Sequence, residues 1–561
     1  MGLLFSCRYD NHESTKEKPN IIILLADDQG YGDLGITGNP IIETPNIDAM
    51  AVKSASMNNF YVSPVCAPTR ASLMTGRYNY RTGVTDTYIG HAMMHTEEVT
   101  IAEVLKDAGY ATGIFGKWHL GDNYPMRPMD QGFEESLVLR GGGLSQPSDP
   151  FANNGRYTNP ILFHNGKQVQ TKGFCTDVYY SYAIKFIKKS LNEKKPFFAY
   201  IPTNAPHGPF KDVPIDLKKY YLKKDLASIS LEKKPNLENL AAICAMITNI
   251  DQNVGTLQKT LTELGIENNT IVIYMSDNGP NSLRYVGNMR GRKGNVIEGG
   301  IRTMFYMHWP TIFKGGESSD NRVAHYDLMP TLLDAAKIPI PDSLKLDGHS
   351  FLPLLQGKKT DWQERKLFLQ WHRGDSPQPN KHFAMVGQDW KLLSSDSAVF
   401  KLYNIKDDPT ESQDLSETHQ QLADKMKNEY LRWFNDVSET RTNNYSTPRM
   451  IIGDNVESET VLTRQDWVRD VGKGWGDEGH WLLKVSRQSS YDVTVRAAVA
   501  KSGWDVKLKI DDIEKINKMN GSEITFENIQ LKKGDIQISS TITKGDKIYP
   551  RIHVIIKKCS D

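Results

Sequence analysis

The sequence predicts an α/β fold in which helices sandwich a mostly parallel sheet. Apolar, β-rich runs recur along its first part, segments with helical periodicity separate them, and polar residues follow several of the runs. Continuous apolar runs are typical of strands that are buried on both faces, and this burial requires helices on both sides of the sheet. With 561 residues, the chain is also too long for one ordinary core, so we expect further domains.

The elements of this fold follow one another in regular alternation. Helices are predicted around 101–108, 183–191 and 240–264, with another one beginning at Asp327. The predicted strands that alternate with the first three of them are 20–25, 111–115, 196–201, 271–275 and 304–307.

Beyond the α/β part, two regions have a different sequence pattern. Short strands at 367–371, 383–387, 390–393 and 401–404, followed by a charged helix at 418–434, predict a small antiparallel subdomain. Strands that alternate apolar and polar residues then predict an all-β accessory domain of the β-sandwich type. The predicted boundaries are 1–18 for a tail, 19–360 for the α/β part, 361–436 for the subdomain and 449–561 for the β-sandwich.

Charge and cysteine content exclude several classes of function. Lys and Arg (68) nearly balance Asp and Glu (67), so the net charge of +1 gives no reason to expect a nucleic-acid partner. The five cysteines are scattered without a C-x-x-C pair, which argues against a disulfide framework or a zinc site.

The N-terminus carries a possible anchoring signal. Residues 4–7 (LFSC) resemble the lipidation box of a bacterial lipoprotein, with Cys7 as the lipid-anchored residue; the alternative is a disordered tail. We therefore expect a periplasmic or cell-surface protein that is anchored to the membrane as a lipoprotein, with secretion as the alternative.

The run CAPTR at 66–70 predicts a helix that opens on a cysteine. Pro68 suits the first turn and Gly76 suits the end of the helix. Cys66 would then lie at the positive end of the helix dipole, and Arg70, four residues on, would share its face. This combination predicts a reactive residue beside a site for a small oxyanion.

Carboxylates and amides follow two of the predicted strands. Asp27 and Asp28 come directly after 20–25, and Asp277 and Asn278 come shortly after 271–275. Oxygen ligands of this kind select a hard cation such as Ca²⁺ or Mg²⁺. Taken singly, each pair could equally be a helix cap or an ordinary turn.

Cations and imidazoles follow the remaining strands. Lys117 and His119 come after 111–115, and His207 lies in a proline-flanked loop after 196–201. Lys293 precedes the strand at 304–307. Each could be a surface lysine or a packed histidine, but open α/β sheets build their sites at the carboxyl ends of strands, where most of these residues fall.

These motifs resemble the type I, formylglycine-dependent sulfatases of the arylsulfatase family, within the alkaline phosphatase superfamily. The signature C-x-P-x-R is met at 66–70, with Thr69 where many members have serine. The segments at 26–30, 116–121 and 276–279 match as well, and the resemblance extends from about residue 19 to 434.

The resemblance implies both a modified residue and a metal. A maturation enzyme would oxidise Cys66 to Cα-formylglycine (3-oxoalanine), whose aldehyde hydrates to a gem-diol. One hydroxyl would attack sulfur and displace the alcohol, and loss of a proton from the second hydroxyl would expel sulfate. A single Ca²⁺, rather than Mg²⁺, would be held by Asp27, Asp28, Cys66, Asp277 and Asn278.

The resemblance also implies a role for each catalytic candidate. Arg70 and Lys117 would stabilise the hydrated aldehyde, and His119 would be the base that collapses the sulfated intermediate. His207 and Lys293 would bind the sulfate oxygens, and one of them would protonate the leaving oxygen.

The substrate implied is a sulfated carbohydrate, either a polysaccharide or an oligosaccharide. His372 and Arg373, in the subdomain that rims the pocket in this family, are our candidate substrate contacts. The tryptophans of the β-sandwich are expected in its core more than on a sugar; they are Trp467, Trp475, Trp481 and Trp504. Alternatives are a phosphatase or phosphonate monoester hydrolase of the same superfamily, and a non-catalytic glycan-binding protein.

Overall fold

The structure is a computed structural model, and it describes residues 18–358, 362, 365–374, 376–395 and 399–559. The predicted lipidation residue Cys7 lies outside these ranges. Among the helices described, none combines the length and the apolar content that crossing a membrane requires.

An eleven-stranded sheet forms the centre of the described part of the chain. Its strands, in chain order, are β1 (Asn20–Ala26), β2 (Ala55–Tyr61), β3 (Ala111–Lys117), β4 (Glu135–Leu139), β5 (Ile161–His164), β6 (Lys167–Gln170), β7 (Phe197–Pro202), β8 (Thr270–Ser276), β9 (Arg302–Thr303), β10 (Phe305–His308) and β11 (Ser318–Ala324). The central order β8-β1-β7-β3-β4 is parallel throughout, so these five strands end at one edge of the sheet.

Helices cover both faces of this sheet, as predicted. The helices of the described chain are α1 (Pro45–Val52), α2 (Cys66–Thr75), α3 (Ile101–Asp107), α4 (Cys175–Asn192), α5 (Ile215–Tyr221), α6 (Leu237–Glu263), α7 (Glu298–Ile301), α8 (Leu328–Ala335), α9 (Leu352–Leu355) and α10 (Gln420–Glu439). In β1, Ile21 and Ile23 face the core with α2, α3 and α8, whereas Ile22 and Leu24 face the core with α1, α4 and α6. This alternation within a continuous apolar run is typical of a doubly covered sheet.

The flanks of the sheet differ from the parallel centre. Strand β10 runs antiparallel to β8, and β5 and β6 add an antiparallel edge beyond β4. The connection from β8 to β10 stays at the carboxyl end of β8 instead of crossing the sheet as a helix. It therefore carries Lys293 along the same edge as the ends of β1 and β3.

The predicted small subdomain is a four-stranded antiparallel sheet with one helix packed on it. Its strands, in spatial and chain order, are β12 (Leu367–Gln370), β13 (Phe383–Val386), β14 (Trp390–Ser394) and β15 (Lys401–Asn404). Helix α10 packs Tyr430 and Trp433 against this sheet, where the Tyr430 ring stacks on Phe383 with 3.6 Å between centroids.

Residues 449–559, which we call the β-domain, form two further sheets around one core. Their strands are β16 (Met450–Ile452), β17 (Thr460–Leu462), β18 (Val468–Val471), β19 (Glu478–Val485), β20 (Ser489–Ala497), β21 (Asp505–Ile510), β22 (Ile513–Lys518), β23 (Glu523–Leu531), β24 (Gly534–Lys544), β25 (Lys547–Ile548) and β26 (Ile552–Lys558). Trp467 and Trp481 are buried in this core as expected, whereas Trp475 and Trp504 are only partly buried.

The β-domain docks on the α/β part through a shared apolar core. Tyr88 and Met93, from the segment after α2, belong to the same buried cluster as Trp467 and Trp481. At another point the imidazole of His553 donates from Nε2 to the Pro147 carbonyl oxygen at 2.8 Å. The two units therefore meet close to the loops that follow the parallel strands.

Candidate active site

Cys66 is the first residue of α2, as the sequence predicted. Gly76 ends the helix in the left-handed conformation (φ 67°), which costs glycine little. The Cys66 side chain is buried, yet its Sγ lies 3.5 Å from His119 Nδ1 and 4.0 Å from Lys293 Nζ. Burial opposes ionisation of the thiol, but the charges of Lys117 and Lys293 outweigh it and lower the Cys66 pKa.

Arg70 is fully buried behind Cys66 and is held by two neighbours. Its Nε and Nη2 donate to Asp277 Oδ2 at 3.2 and 2.7 Å, and its Nη1 donates to the Lys117 carbonyl oxygen at 2.7 Å. Thr69, the departure from the usual serine, donates from its hydroxyl to the Asp277 carbonyl oxygen at 2.7 Å. Both side chains thus tie α2 to the end of β8.

The four predicted oxygen ligands meet because β1 and β8 are parallel neighbours in register, with Ala26 opposite Ser276. Asp28 adopts a left-handed backbone conformation (φ 67°), and its N–H donates to Asp277 Oδ1 at 3.2 Å. The Asn278 amide nitrogen donates to Asp28 Oδ1 at 2.8 Å, which leaves the amide oxygen free to face another group.

These residues fit a cation. Asp27 Oδ1 and Asn278 Oδ1 are buried without a hydrogen-bond partner among the described residues, and such atoms are costly unless something binds them. Ligand atoms of Asp27, Cys66 and Asp277 lie within 4.8 Å of one another. Burial, together with Asp27, also raises the Asp277 pKa, and a cation would relieve this crowding of carboxylates. The donors are oxygens apart from Sγ, which oxidation of Cys66 to an aldehyde would replace by oxygen.

Lys117 and His119 extend from the end of β3 toward Cys66. Lys117 Nζ donates to Asp27 Oδ2 at 2.7 Å, with both side chains buried. His119, at φ 64°, has its Nε2 2.8 Å from the Thr87 carbonyl oxygen, which can only accept, so Nε2 carries the proton. Burial and the nearby Lys117 charge hold the His119 pKa well below its usual value. A neutral imidazole therefore presents the Nδ1 lone pair to Cys66.

The side chains of His207 and Lys293 both approach the Asp28 carboxylate. Lys293 Nζ donates to Asp28 Oδ1 at 2.5 Å, and His207 Nε2 lies 3.8 Å from Asp28 Oδ2. His207 Nδ1 donates to the Gly208 carbonyl oxygen at 2.7 Å, which leaves Nε2 turned toward the site. Because Asp28 already accepts a hydrogen bond from the Lys293 ammonium, its role as a metal ligand stays a prediction.

A cleft of about 500 Å³ opens above these groups. Asp28, His207 and Lys293 line one end of it, and polar side chains such as Asn239 and Asn281 line its wall. Apolar side chains line the cleft as well, so it offers an ammonium and an imidazole in a mixed polar and apolar surrounding, which suits an anionic ester.

The two candidate substrate contacts lie elsewhere. His372 is buried, and its backbone N–H donates to the Thr85 carbonyl oxygen at 2.9 Å. Arg373 is exposed and lies over the Tyr88 ring, 4.6 Å from its centroid. Neither residue lines the cleft above Lys293, so their contact with substrate stays a prediction.

Two parts of the site were missed at the level of sequence. The Thr87 carbonyl oxygen fixes His119 but leaves no mark in the side-chain pattern. Gly142 lies against His119 so closely that a Cβ there would be 2.6 Å from the imidazole, and a Cβ at Gly143 would be 3.3 Å from His207. The glycine triplet at 141–143, directly after a strand, was the available signal.

Comparisons with known proteins identify the family of this chain. The Sulfatase family matches residues 19–338, and the C-terminal domain of N-sulphoglucosamine sulphohydrolase matches residues 292–435. The chain belongs to the sulfatase family. This sulfatase is 32% identical to N-acetylgalactosamine-6-sulfatase of Canis lupus familiaris over 389 residues, which are 64% of this chain and 69% of the relative.

Other relatives support the same assignment. The sulfatase is 31% identical to human arylsulfatase A, covering 60% of this chain and 68% of the relative. It is also similar to the crystal structure of Ps i-CgsB in complex with k-i-k-neocarrahexaose, with a TM-score of 0.64, 30% identity and coverage of 74% and 93%. The sulfatase is therefore a sulfuric ester hydrolase of the type I class, with an alkaline phosphatase-like fold.

Proposed function

We propose that this sulfatase removes sulfate from a sulfated carbohydrate, and that Cys66, oxidised to formylglycine, is its nucleophile. The observation that carries the proposal is the convergence on Cys66 Sγ of a helix N-terminus, the Lys293 ammonium and the Nδ1 lone pair of His119. A group that attacks an anionic ester needs positive charge to receive the ester and a base to take up a proton.

The site would draw on two groups that these residues fit. Formylglycine would supply a hydrated aldehyde as nucleophile, and Ca²⁺ would polarise it and offset negative charge on the sulfuryl group. Asp27, Asp277, Asn278 and residue 66 would hold the ion, with Asp28 as the further predicted ligand.

The chain's own residues then divide the work. His119 takes up a proton at Nδ1, because Nε2–H is fixed on the Thr87 carbonyl oxygen. Lys293 and His207 bind the sulfate oxygens, and one of them gives a proton to the leaving oxygen. Arg70 acts as a positioning residue, since its contacts hold Asp277 and the Lys117 carbonyl in place.

A carbohydrate substrate is supported by the relatives and by the cleft. One relative is named for an N-acetylgalactosamine sulfate ester, and one similar structure contains a neocarrahexaose. The wall of asparagines and serines above Lys293 is suited to hydroxyl groups. The periplasmic or cell-surface location, the anchor at Cys7 and the maturation enzyme remain predictions from the sequence.

Two measurements test this proposal together. Mass spectrometry of the peptide that spans Cys66 should show an aldehyde or its hydrate in place of the thiol. Protein modified in this way should hydrolyse an aryl sulfate faster than the matching aryl phosphate. An unmodified thiol in fully active protein would refute the nucleophile, and faster phosphate hydrolysis would favour the phosphatase alternative. Modified protein that hydrolyses neither ester would favour the glycan-binding alternative.

The metal has its own readout. Adding Ca²⁺ to chelator-treated protein should raise its melting temperature, because the ion binds only the native state. Asp277→Ala should abolish this increase, whereas the surface variant Asp389→Ala should keep it. An equal increase in both variants would mean that calcium binds at another site.

A further inference from the structure

A second pocket lies where the β-domain meets the α/β part. It has a volume of about 320 Å³, and Gly474 and Trp475 reach it from the loop between β18 and β19 of the β-domain. The residues that line it are Thr87, Tyr88, Gln146, Arg373, Gly474 and Trp475. The pocket thus combines side chains from all three parts of the chain.

The backbone that lines this pocket also contacts His119, the side chain next to Cys66. Thr87 accepts a hydrogen bond from His119, whose other ring nitrogen faces Cys66. Gln146 accepts from the Gly142 N–H at 3.0 Å, and Gly142 packs against the same imidazole. The width of one imidazole ring therefore separates the Thr87 backbone of the pocket from Cys66.

The lining has the chemistry of a site for an anionic sugar. The Trp475 and Tyr88 rings meet edge to face, 5.1 Å between centroids, and the guanidinium of the exposed Arg373 lies over Tyr88. Aromatic faces bind the apolar faces of sugar rings, and a guanidinium binds sulfate or carboxylate.

Positive charge continues on the far side of Trp475. A hollow of about 160 Å³ there is lined by Arg464 and Arg551, and Trp475 lines both this hollow and the pocket. Among the residues that the structure describes, no acidic side chain lines either space, although Asp86 lies behind Arg373, 3.5 Å from its Nε. The surface around Trp475 therefore favours a ligand that carries several negative charges.

We propose that the pocket around Trp475 and Arg373 is a subsite for a second anionic sugar unit of the substrate, beyond the unit whose sulfate faces Cys66. Trp475 stacks on this unit and Arg373 binds its sulfate or carboxylate. The inference rests on the proposed carbohydrate substrate, and it makes the β-domain part of the binding site instead of an appendage.

The test compares a small substrate with longer ligands. Native protein and the variants Trp475→Ala, Arg373→Ala and Trp504→Ala are assayed with 4-methylumbelliferyl sulfate. Hexasaccharides of κ-carrageenan, which carries sulfate alone, and of chondroitin 6-sulfate, which also carries carboxylate, are added as competitors. Trp504, which packs on Tyr549 in the β-domain outside the pocket, is the matched control.

We expect Trp475→Ala and Arg373→Ala to raise the inhibition constant of at least one hexasaccharide about tenfold or more, relative to their effect on the small substrate. The stronger competitor identifies the anion. If the variants weaken the binding of the small substrate and of the hexasaccharides equally, the subsite is overturned. The same holds if the hexasaccharides do not compete with the small substrate. Both results leave the sulfatase activity standing. Failure of the native protein on the small substrate would instead count against the proposed function.

Discussion

His119 shows how a backbone contact defines the chemistry of one side chain. Its left-handed backbone conformation turns the ring between Cys66 and the Thr87 carbonyl oxygen. Because that oxygen can only accept, the tautomer is fixed without a second side chain. The proposed base is thus positioned by the main chain, which explains why no partner residue is visible in the sequence.

We predict that His119→Gln lowers kcat for an aryl sulfate by about 100- to 10,000-fold, the usual contribution of a general base. Steady-state kinetics on protein with verified modification of Cys66 measures this. His164→Gln, which alters a partly exposed histidine on β5 paired with Glu135, is the control and should keep native kcat. Loss of less than tenfold in His119→Gln would contradict the assignment.

At the scale of elements, the loop after β4 packs closely against two histidines of the site. Gly142 lies against the imidazole of His119 and Gly143 against that of His207, and the space beside the two glycines differs. An added methyl group at 142 has no room beside His119, whereas the same group at 143 requires only a small shift of His207.

We therefore predict that Gly142→Ala lowers kcat by up to about 100-fold, as expected when a catalytic ring is displaced by about an ångström. Gly143→Ala should lower it much less. Kinetics and melting temperatures of the two variants test this. Equal kcat losses would contradict the steric argument, and a large drop in melting temperature would show a folding defect instead.

A buried charge cluster ties the small subdomain to the loop that carries Lys293. Lys391 on β14 donates to Glu298 at the start of α7 at 2.9 Å, and its ammonium forms an ion pair with Glu411 at 2.8 Å. All three side chains are buried, so removing the lysine would leave Glu411 without its cation and Glu298 with only the more distant Arg302, at 3.8 Å.

We expect Lys391→Met to lower the free energy of unfolding by about 3–5 kcal/mol, the usual cost of an unpaired buried charge. The exposed pair of Lys406 with Asp389 provides the control, because Lys406→Met should change stability by no more than about 0.5 kcal/mol. Urea unfolding gives both values, and similar midpoints in the two variants would show that the cluster is not stabilising.

For the whole molecule, the contact between the β-domain and the α/β part depends on a neutral histidine. His553 donates to the Pro147 carbonyl oxygen and stacks on Phe151, 4.0 Å between centroids. Burial lowers the His553 pKa to about 4. The native state therefore binds fewer protons than the unfolded state between pH 4 and 6.5, so stability falls as the pH falls through this window.

We predict that His553 lowers the free energy of unfolding by about 2 kcal/mol between pH 7 and pH 5. His553→Gln can keep the donor to Pro147 but cannot titrate, so its stability should fall less over this range. Urea unfolding at both pH values measures the difference. Identical losses in the native protein and the variant would assign the pH dependence to other groups.

Much of this organisation could be predicted from sequence, for reasons visible in particular residues. The run 20–25 alternates between two cores, so it indicated a doubly covered strand, and the strand-end residues around Asp27 and Asp277 meet because β1 and β8 are parallel. The direction of β10 could not be predicted, because pairing depends on a long connection. The position of Trp475 at the pocket beside Tyr88 could not be predicted either, since a tryptophan in a β-domain loop carries no signal of what lies opposite it.

The strand order of the second β-domain sheet, β17-β26-β20-β23, has a consequence for biosynthesis. Because β26 lies between β17 and β20, this sheet cannot close until residue 558 has been made. Cys66 leaves the ribosome about 490 residues earlier. At roughly 5–20 residues per second, the interval is about 25 to 100 s. During that time a maturation enzyme could reach the cysteine while the wall that carries Trp475 is still missing.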